Sequence, residues 1–143
     1  MMRIISGSAR GIRLKTLEGD ATRPTAERTK EAVFSMLQGD VEDRVVLDLF
    51  AGSGQMGLEA VSRGAASAVL IDKSLEAVKI IKENAIKTHL ENRCDIRKDE
   101  YLSYLKKNIG KKFDVIFIDP PYASNFYQPS LQALLDGGFL KES

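Results

Sequence analysis

Residues 45–57 read V-V-L-D-L-F-A-G-S-G-Q-M-G. Val45 to Leu49 is an apolar run broken only by Asp48, short enough for a buried strand, and the glycine-rich stretch after it cannot prolong a sheet. Glycine turns sharply and leaves main-chain atoms open to a ligand that a side chain would block. The stretch therefore predicts a strand, a tight loop and a helix start. Gly52, Gly54 and Gly57 satisfy G-x-G-x-x-G, and Asp72 closes the next apolar run. A carboxylate there can accept from ribose hydroxyls, so an adenosine-containing cofactor is expected. Ala51, Ser53 and Lys73 join these residues as candidate cofactor contacts.

The glycines alone leave a dinucleotide and S-adenosylmethionine both open. A pyrophosphate would sit at the helix N-terminus, where the neighbouring Asp48 is an awkward companion. The same carboxylate suits the amino group or sulfonium of S-adenosylmethionine. Further on, Asp99 can either reach an adenine amine, with Glu100 as its substitute, or cap the helix that follows.

Outward from this stretch, strands and helices alternate. Ala68–Ile71, Cys94–Arg97 and Phe113–Ile118 read as further strands. Helices are predicted after the glycine-rich loop 51–57 up to Gly64, from Ser74 to about Leu90 with Val78, Ile81, Ala85 and Leu90 or their neighbours inward, around Tyr101–Leu105, and through Leu131, Leu134 and Leu135. Nearly continuous apolar strands separated by helices imply a parallel sheet covered on both faces. The expected fold class is α/β, a doubly wound Rossmann-like arrangement.

The N-terminal segment has a different character. R-I-I-S-G-S-A-R-G-I-R-L-K-T suggests a hairpin with Ile12, Leu14 and Thr16 on one face and Arg13 and Lys15 on the other. Ala26, Thr29, Val33, Phe34 and Leu37 then recur at helical spacing between Thr25, a possible cap, and Gly39. Two regions follow: 1–39, a basic hairpin-and-helix extension packed on the body, and 40–143, the cofactor-binding core. Residues 1–17 hold four basic and no acidic side chains.

A chain of 143 residues with 43% hydrophobic and 29% charged residues fits one globular domain. No apolar run approaches the ~20 residues of a membrane span, so a cytoplasmic location is expected. The single Cys94 excludes an intrachain disulfide and reads as a small buried hydrophobe. His89, also alone, lacks neighbours at ligand spacing, and no metal site is expected.

Phe117–Tyr122, F-I-D-P-P-Y, ends the last strand on a carboxylate, two prolines and a tyrosine. Proline removes a backbone donor and restricts its predecessor, so this corner is rigid and extended. D-P-P-Y resembles the signature of S-adenosylmethionine-dependent methyltransferases acting on exocyclic amines of nucleobases. With R-I-I-S-G-S-A-R-G-I-R-L-K-T, T-R-P-T-A-E-R-T-K-E-A-V-F-S-M-L and L-D-L-F-A-G-S-G-Q-M-G-L-E-A-V-S-R-G-A before it, the chain resembles the bacterial 16S ribosomal RNA guanine-N2 methyltransferase family from Arg3 to about Leu140.

The resemblance implies methyl transfer to a guanine N2 amine in 16S RNA or the small ribosomal subunit. Asp119 and the Pro120 carbonyl would accept the amine's hydrogens, Pro120 and Pro121 together would fix that carbonyl, and Tyr122 would offer a face to the extruded base. Arg10, Arg13, Lys15, Arg23, Arg28 and Lys30 would meet RNA phosphates; a solvated basic face is the plainer alternative. Other readings are an adenine-N6 methyltransferase, a dinucleotide-dependent oxidoreductase and an RNA-binding remnant. Family members continue with further strands, so a truncated chain with a bare edge at Val115–Ile118 is expected, catalytically impaired or dimerising through that edge. A complete chain would be a monomer.

Overall fold

The structure is a computed structural model describing residues 2–17, 26–37, 41–120 and 124–141. Four strands, β1 (Val45–Asp48), β2 (Ser67–Asp72), β3 (Cys94–Lys98) and β4 (Val115–Phe117), form a parallel sheet in the order β3-β2-β1-β4. Helices α1 (Ala26–Leu37), α2 (Gln55–Ser62), α3 (Leu75–Lys87), α4 (Tyr101–Lys107) and α5 (Tyr127–Asp136) surround it. The expected doubly wound arrangement is present.

Alternation along the strands builds two cores. Val46, Ala68, Leu70 and Phe117 meet Phe34 of α1, Leu58 and Val61 of α2, and Ile81 and Ala85 of α3. Their neighbours Leu47, Val69 and Ile71 point the other way, against Tyr104 and Leu105 of α4 and Leu134 of α5. Each fully buried aliphatic side chain contributes about 1.5–3 kcal/mol, so a strand buried on both faces is rigid enough to aim the loops at its ends. In α3 the expected inward residues Val78, Ile81 and Ala85 are buried. That helix stops sooner than expected because His89 adopts φ 61°. In α5 Leu134 is buried with Ala133 packed beside it, while Leu135 is 61% exposed.

The expected N-terminal hairpin is reduced to one antiparallel bridge, Arg3 to Arg13, flanked by Ile4 N–H to Ile12 O and Leu14 N–H to Met2 O, both 2.9 Å. Gly11 N–H also donates to Ile4 O at 2.9 Å, but α2 takes the amides of residues 5, 6, 8 and 9. Glu59 accepts from the amides of Ile5 (2.9 Å) and Ser6 (3.1 Å), and Ser62 accepts from Ser8 on its carbonyl and from Ala9 on its hydroxyl. Gly7, at φ 92°, lies so close to Ser62 that an added Cβ would fall 1.8 Å from its carbonyl oxygen. Met2, Ile4, Ala9 and Leu14 share the core of α2 and α3. The apolar and basic faces are as expected: Ile12 and Thr16 half-buried and Leu14 buried, with Arg13 and Lys15 exposed.

Lys30 corrects the sequence reading. Instead of meeting solvent, it is fully buried, with Nζ 3.2 Å from Glu59 Oε1 and donating to the Arg3 carbonyl at 2.6 Å. Arg63 completes the cluster, its Nε 2.8 Å from Glu59 Oε2 and its guanidinium 4.7 Å above the Phe34 ring. A buried carboxylate needs such partners, because an unpaired charge in the interior is costly.

At the sheet's outer edge, Phe113 pairs in parallel with Leu140 through Phe113 N–H to Phe139 O (2.7 Å) and Lys141 N–H to Phe113 O (2.9 Å). Among the described residues, Val115–Phe117 have a strand partner only in β1. Asp114 staples β4 to β1 by accepting from Val45 N–H at 2.8 Å. That bond outweighs partial burial and, with Lys141 and Arg44, holds its carboxyl below the usual range.

Candidate active site

The strand order reverses between β1 and β4, and such a switch point leaves a crevice at the carboxyl ends of the strands. A cleft of about 310 Å³ lies there. Each strand contributes the loop that follows it: Leu49–Ser53 and Gln55 after β1, Asp72 and Lys73 after β2, Asp99–Tyr101 after β3, and Asp119 and Pro120 after β4; Leu17 and Phe126 close the sides.

The glycine loop is held against β2. Ala51 N–H donates to Ile71 O at 2.8 Å and Gly52 N–H to Asp72 Oδ2 at 3.0 Å, while Ser74 N–H donates to Asp72 Oδ1 at 2.9 Å. Asp72 is thus locked at the cleft lip, with lone pairs left for a hydroxyl-bearing ligand. Gly52 has φ 60°, a left-handed backbone that favours glycine, and only open space where a Cβ would stand, so the vacant side admits a ligand. Gly54, also expected to bind cofactor, has φ 86° and instead packs towards Ile81 of α3. It shapes the loop and does not line the cleft.

Asp48 lies beneath the loop, not in the cleft wall. Its side chain is buried, with Oδ2 accepting from Gly57 N–H at 3.1 Å. Burial pushes its pKa up from the ordinary 3.8 to about 7; the Gly57 N–H opposes the rise, and the negative charges of Asp119 and Asp72 add to it. Any effect of Asp48 on a bound cation therefore acts through space.

Between the two roles open to the acidic pair, Glu100 caps α4, its carboxylate accepting from Leu102 and Ser103 N–H at 3.2 and 3.1 Å. Asp99 keeps one oxygen on Glu100 N–H and the other on Lys107 Nζ at 3.2 Å. Burial raises its pKa, but these partners outweigh burial and lower it, so the carboxylate stays ionised. Both residues line the cleft.

The sequence reading missed an aromatic wall. Phe50 lies 5.0 Å from Tyr101 and 6.3 Å, stacked, from Phe126, with Tyr101 and Phe126 5.2 Å apart; Lys73 Nζ is 5.9 Å from the Phe126 ring centre. Flat apolar surfaces beside fixed carboxylates suit a nucleoside, base against the rings and ribose hydroxyls on Asp72. Gln55 Oε1, buried without a partner among the described residues, is a waiting acceptor on the same wall. The only advance signal was position: Phe50 and Tyr101 each follow a strand end within a few residues.

Asp119 is exposed at the mouth beside half-buried Pro120. Pro121, Tyr122 and Arg23 fall outside the described residues, as does the side chain of Arg28. Arg10, Arg13 and Lys15 are exposed on the N-terminal segment, Lys15 within 3.3 Å of Glu83. No helix among the described residues is long and apolar enough to cross a membrane. Cys94 is half-buried, and burial pushes its thiol up to about 11.

Comparison with known proteins adds an independent line. Residues 2–143 match the family described as Conserved hypothetical protein 95. The chain is 37% identical to a Bacillus subtilis protein provisionally named rRNA methyltransferase YlbH, over 94% of this chain and 72% of that protein. It is 33% identical to ribosomal RNA small subunit methyltransferase D of Escherichia coli, over 99% of this chain and 70% of the relative. A solved structure of a hypothetical protein from Thermus thermophilus superposes with a TM-score of 0.86 at 35% identity, over 99% of this chain and 81% of that one.

Proposed function

The chain belongs to the family described as Conserved hypothetical protein 95, a bacterial group of small-subunit rRNA methyltransferases, and from that premise we propose that it methylates the exocyclic N2 amine of a guanine in 16S rRNA, in the cytoplasm, with S-adenosylmethionine as donor. The observation that carries this reading is one cleft holding two different tools: the glycine loop with Asp72 and the aromatic wall on one side, Asp119–Pro120 at the mouth on the other. A cofactor-binding fold alone would not need the second.

S-adenosylmethionine, when bound, supplies an electrophilic methyl group on a sulfonium. Asp72 would hold its ribose, Phe50, Tyr101 and Phe126 its adenine, with Gln55 and Asp99 as polar contacts. The protein's own work is positioning. A guanine amine is a poor nucleophile because its lone pair is delocalised into the ring. Asp119 and the Pro120 carbonyl would accept its two hydrogens, orienting the nitrogen and stabilising the positive charge that grows on it as the methyl group's bond to sulfur gives way to a bond to nitrogen, a neutral thioether leaves and the surplus proton passes by way of Asp119 to solvent at the cleft mouth. Pro120 is suited to this because its ring fixes the backbone that presents the carbonyl. Arg10 and Arg13 face outward to meet RNA phosphates, which set orientation without reading sequence.

The test is transfer of labelled methyl to 16S rRNA and to 30S particles, followed by nucleoside analysis. N2-methylguanosine is the expected product; N6-methyladenosine would move the reading to adenine chemistry. Asp119→Ala should lower turnover by about 10²–10³, as loss of one positioned electrostatic partner does, while leaving S-adenosylhomocysteine affinity within a few-fold. Full turnover by that variant would remove Asp119 from the mechanism.

A further inference from the structure

Asn84 on α3 is 1% exposed and touches neither the cleft nor solvent, yet every hydrogen its amide can donate is used. Oδ1 accepts from Lys15 N–H at 2.8 Å, and Nδ2 donates to Lys15 O at 2.8 Å. A side-chain amide thus pairs with Lys15 as a neighbouring strand would. The second Nδ2 hydrogen goes to Ser53 O at 2.9 Å, in the middle of the glycine loop. Only an amide fits: aspartate would supply the acceptor and lose both donors.

The two segments joined here face different partners. Ser53, with Gly52, lines the cofactor cleft; Leu17, two residues after Lys15, lines it too. Lys15 and Arg13, on the alternate face of the same stretch, are exposed. Glu59 anchors the segment elsewhere, at Ile5 and Ser6, without touching the loop. Among the described residues, Asn84 is the side chain that hydrogen-bonds both.

We infer that Asn84 is a positioning residue that links the two binding events, so that occupancy of the cleft and binding of RNA on the basic N-terminal face strengthen each other. The inference rests on the methyltransferase reading above. A ligand that fixes the glycine loop fixes Ser53 O, which holds Asn84 and through it residues 15–17; a polyanion that orders residues 13–15 acts on the loop in reverse. Coupling of this kind is reciprocal and commonly 5–150-fold.

The test measures affinity of the full chain for transcribed 16S rRNA with and without saturating S-adenosylhomocysteine. The wild-type protein should bind RNA at least about fivefold more tightly with it, the low end of ordinary coupling. Asn84→Ala should bring that ratio to within about twofold of one. General destabilisation weakens both affinities and leaves their ratio alone, so the ratio separates linkage from a merely structural role. A wild-type ratio near one, or one that Asn84→Ala leaves intact, overturns the inference. Should the variant fail to fold, hydrogen exchange on the wild-type chain decides it. S-adenosylhomocysteine should slow exchange at Lys15 and leave Ile5 and Ser6 unchanged; no slowing at Lys15 overturns it equally. If S-adenosylhomocysteine does not bind at all, the functional reading itself falls, and this inference with it; RNA and cofactor binding without linkage defeats the inference alone.

Discussion

Replacing Asp48 with asparagine should make the protein less sensitive to alkaline pH, and the expected size follows from its surroundings. The carboxyl is buried, its pKa is pushed to about 7, and in the unfolded chain it returns to the ordinary 3.8. Between those values the folded protein keeps a proton that the unfolded chain releases, so stability falls as pH rises through the window. At 1.36 kcal/mol per tenfold, the whole window corresponds to about 4 kcal/mol, and the portion between pH 5 and pH 8 to about 2–3 kcal/mol. Asparagine keeps an oxygen for Gly57 N–H and has no proton to lose. It also buries an amide nitrogen, at a cost of about 1–3 kcal/mol if unsatisfied, but that cost does not change with pH. Urea unfolding of both proteins at pH 5 and pH 8 isolates the difference. The variant should gain about 2–3 kcal/mol relative to wild type over that interval. Parallel pH profiles, agreeing to within about 0.5 kcal/mol, would refute the reasoning and mean that Asp48 is solvated or already ionised.

Asp72→Ala should raise the dissociation constant for S-adenosylhomocysteine by about 10–100-fold, the loss of one or two hydrogen bonds to a charged group; calorimetry showing unchanged affinity would take Asp72 out of the cofactor site. Gly7→Ala forces a Cβ into the Ser62 carbonyl at φ 92° and should cost at least about 1–3 kcal/mol from backbone strain alone, read as a lower melting temperature. Glu59→Ala removes the buried carboxylate shared by Lys30, Arg63 and the amides of Ile5 and Ser6; a loss of about 3–5 kcal/mol is expected, and a loss below about 1 kcal/mol would mean that the cluster does not depend on that carboxylate.

What was legible in the sequence was whatever repeats locally. β1 and its glycine loop, the acidic residue closing β2 and the parallel alternation all follow from period and turn chemistry, and residues of all four strand-end loops meet in one cleft. Lys30 was misread because a lysine on a polar-looking helix face gives no sign of its partner Glu59, twenty-nine positions away, and the pair exists only once α1 crosses α2. The hairpin was over-read for a related reason: its alternation was real, but Glu59 and Ser62 offered its amides better acceptors than a second strand. Phe50, Tyr101 and Phe126 carried no assigned role in the sequence, since an aromatic lining a cleft and one filling a core obey the same pattern until the sheet says which end is open.

The cofactor cleft opens at the carboxyl ends of the strands, and the turn from α4 to β4 lies at the other end. Ile109 there is 71% exposed, and Gly110 has open space around it. Strands rise about 3.3 Å per residue, so the sheet itself stands as a spacer between that turn and the cleft mouth. The protein thus comes with a handle: a fluorophore, affinity tag or surface tether at residues 109–110 would hold the molecule from behind, leaving its working end open to something as large as a ribosomal particle.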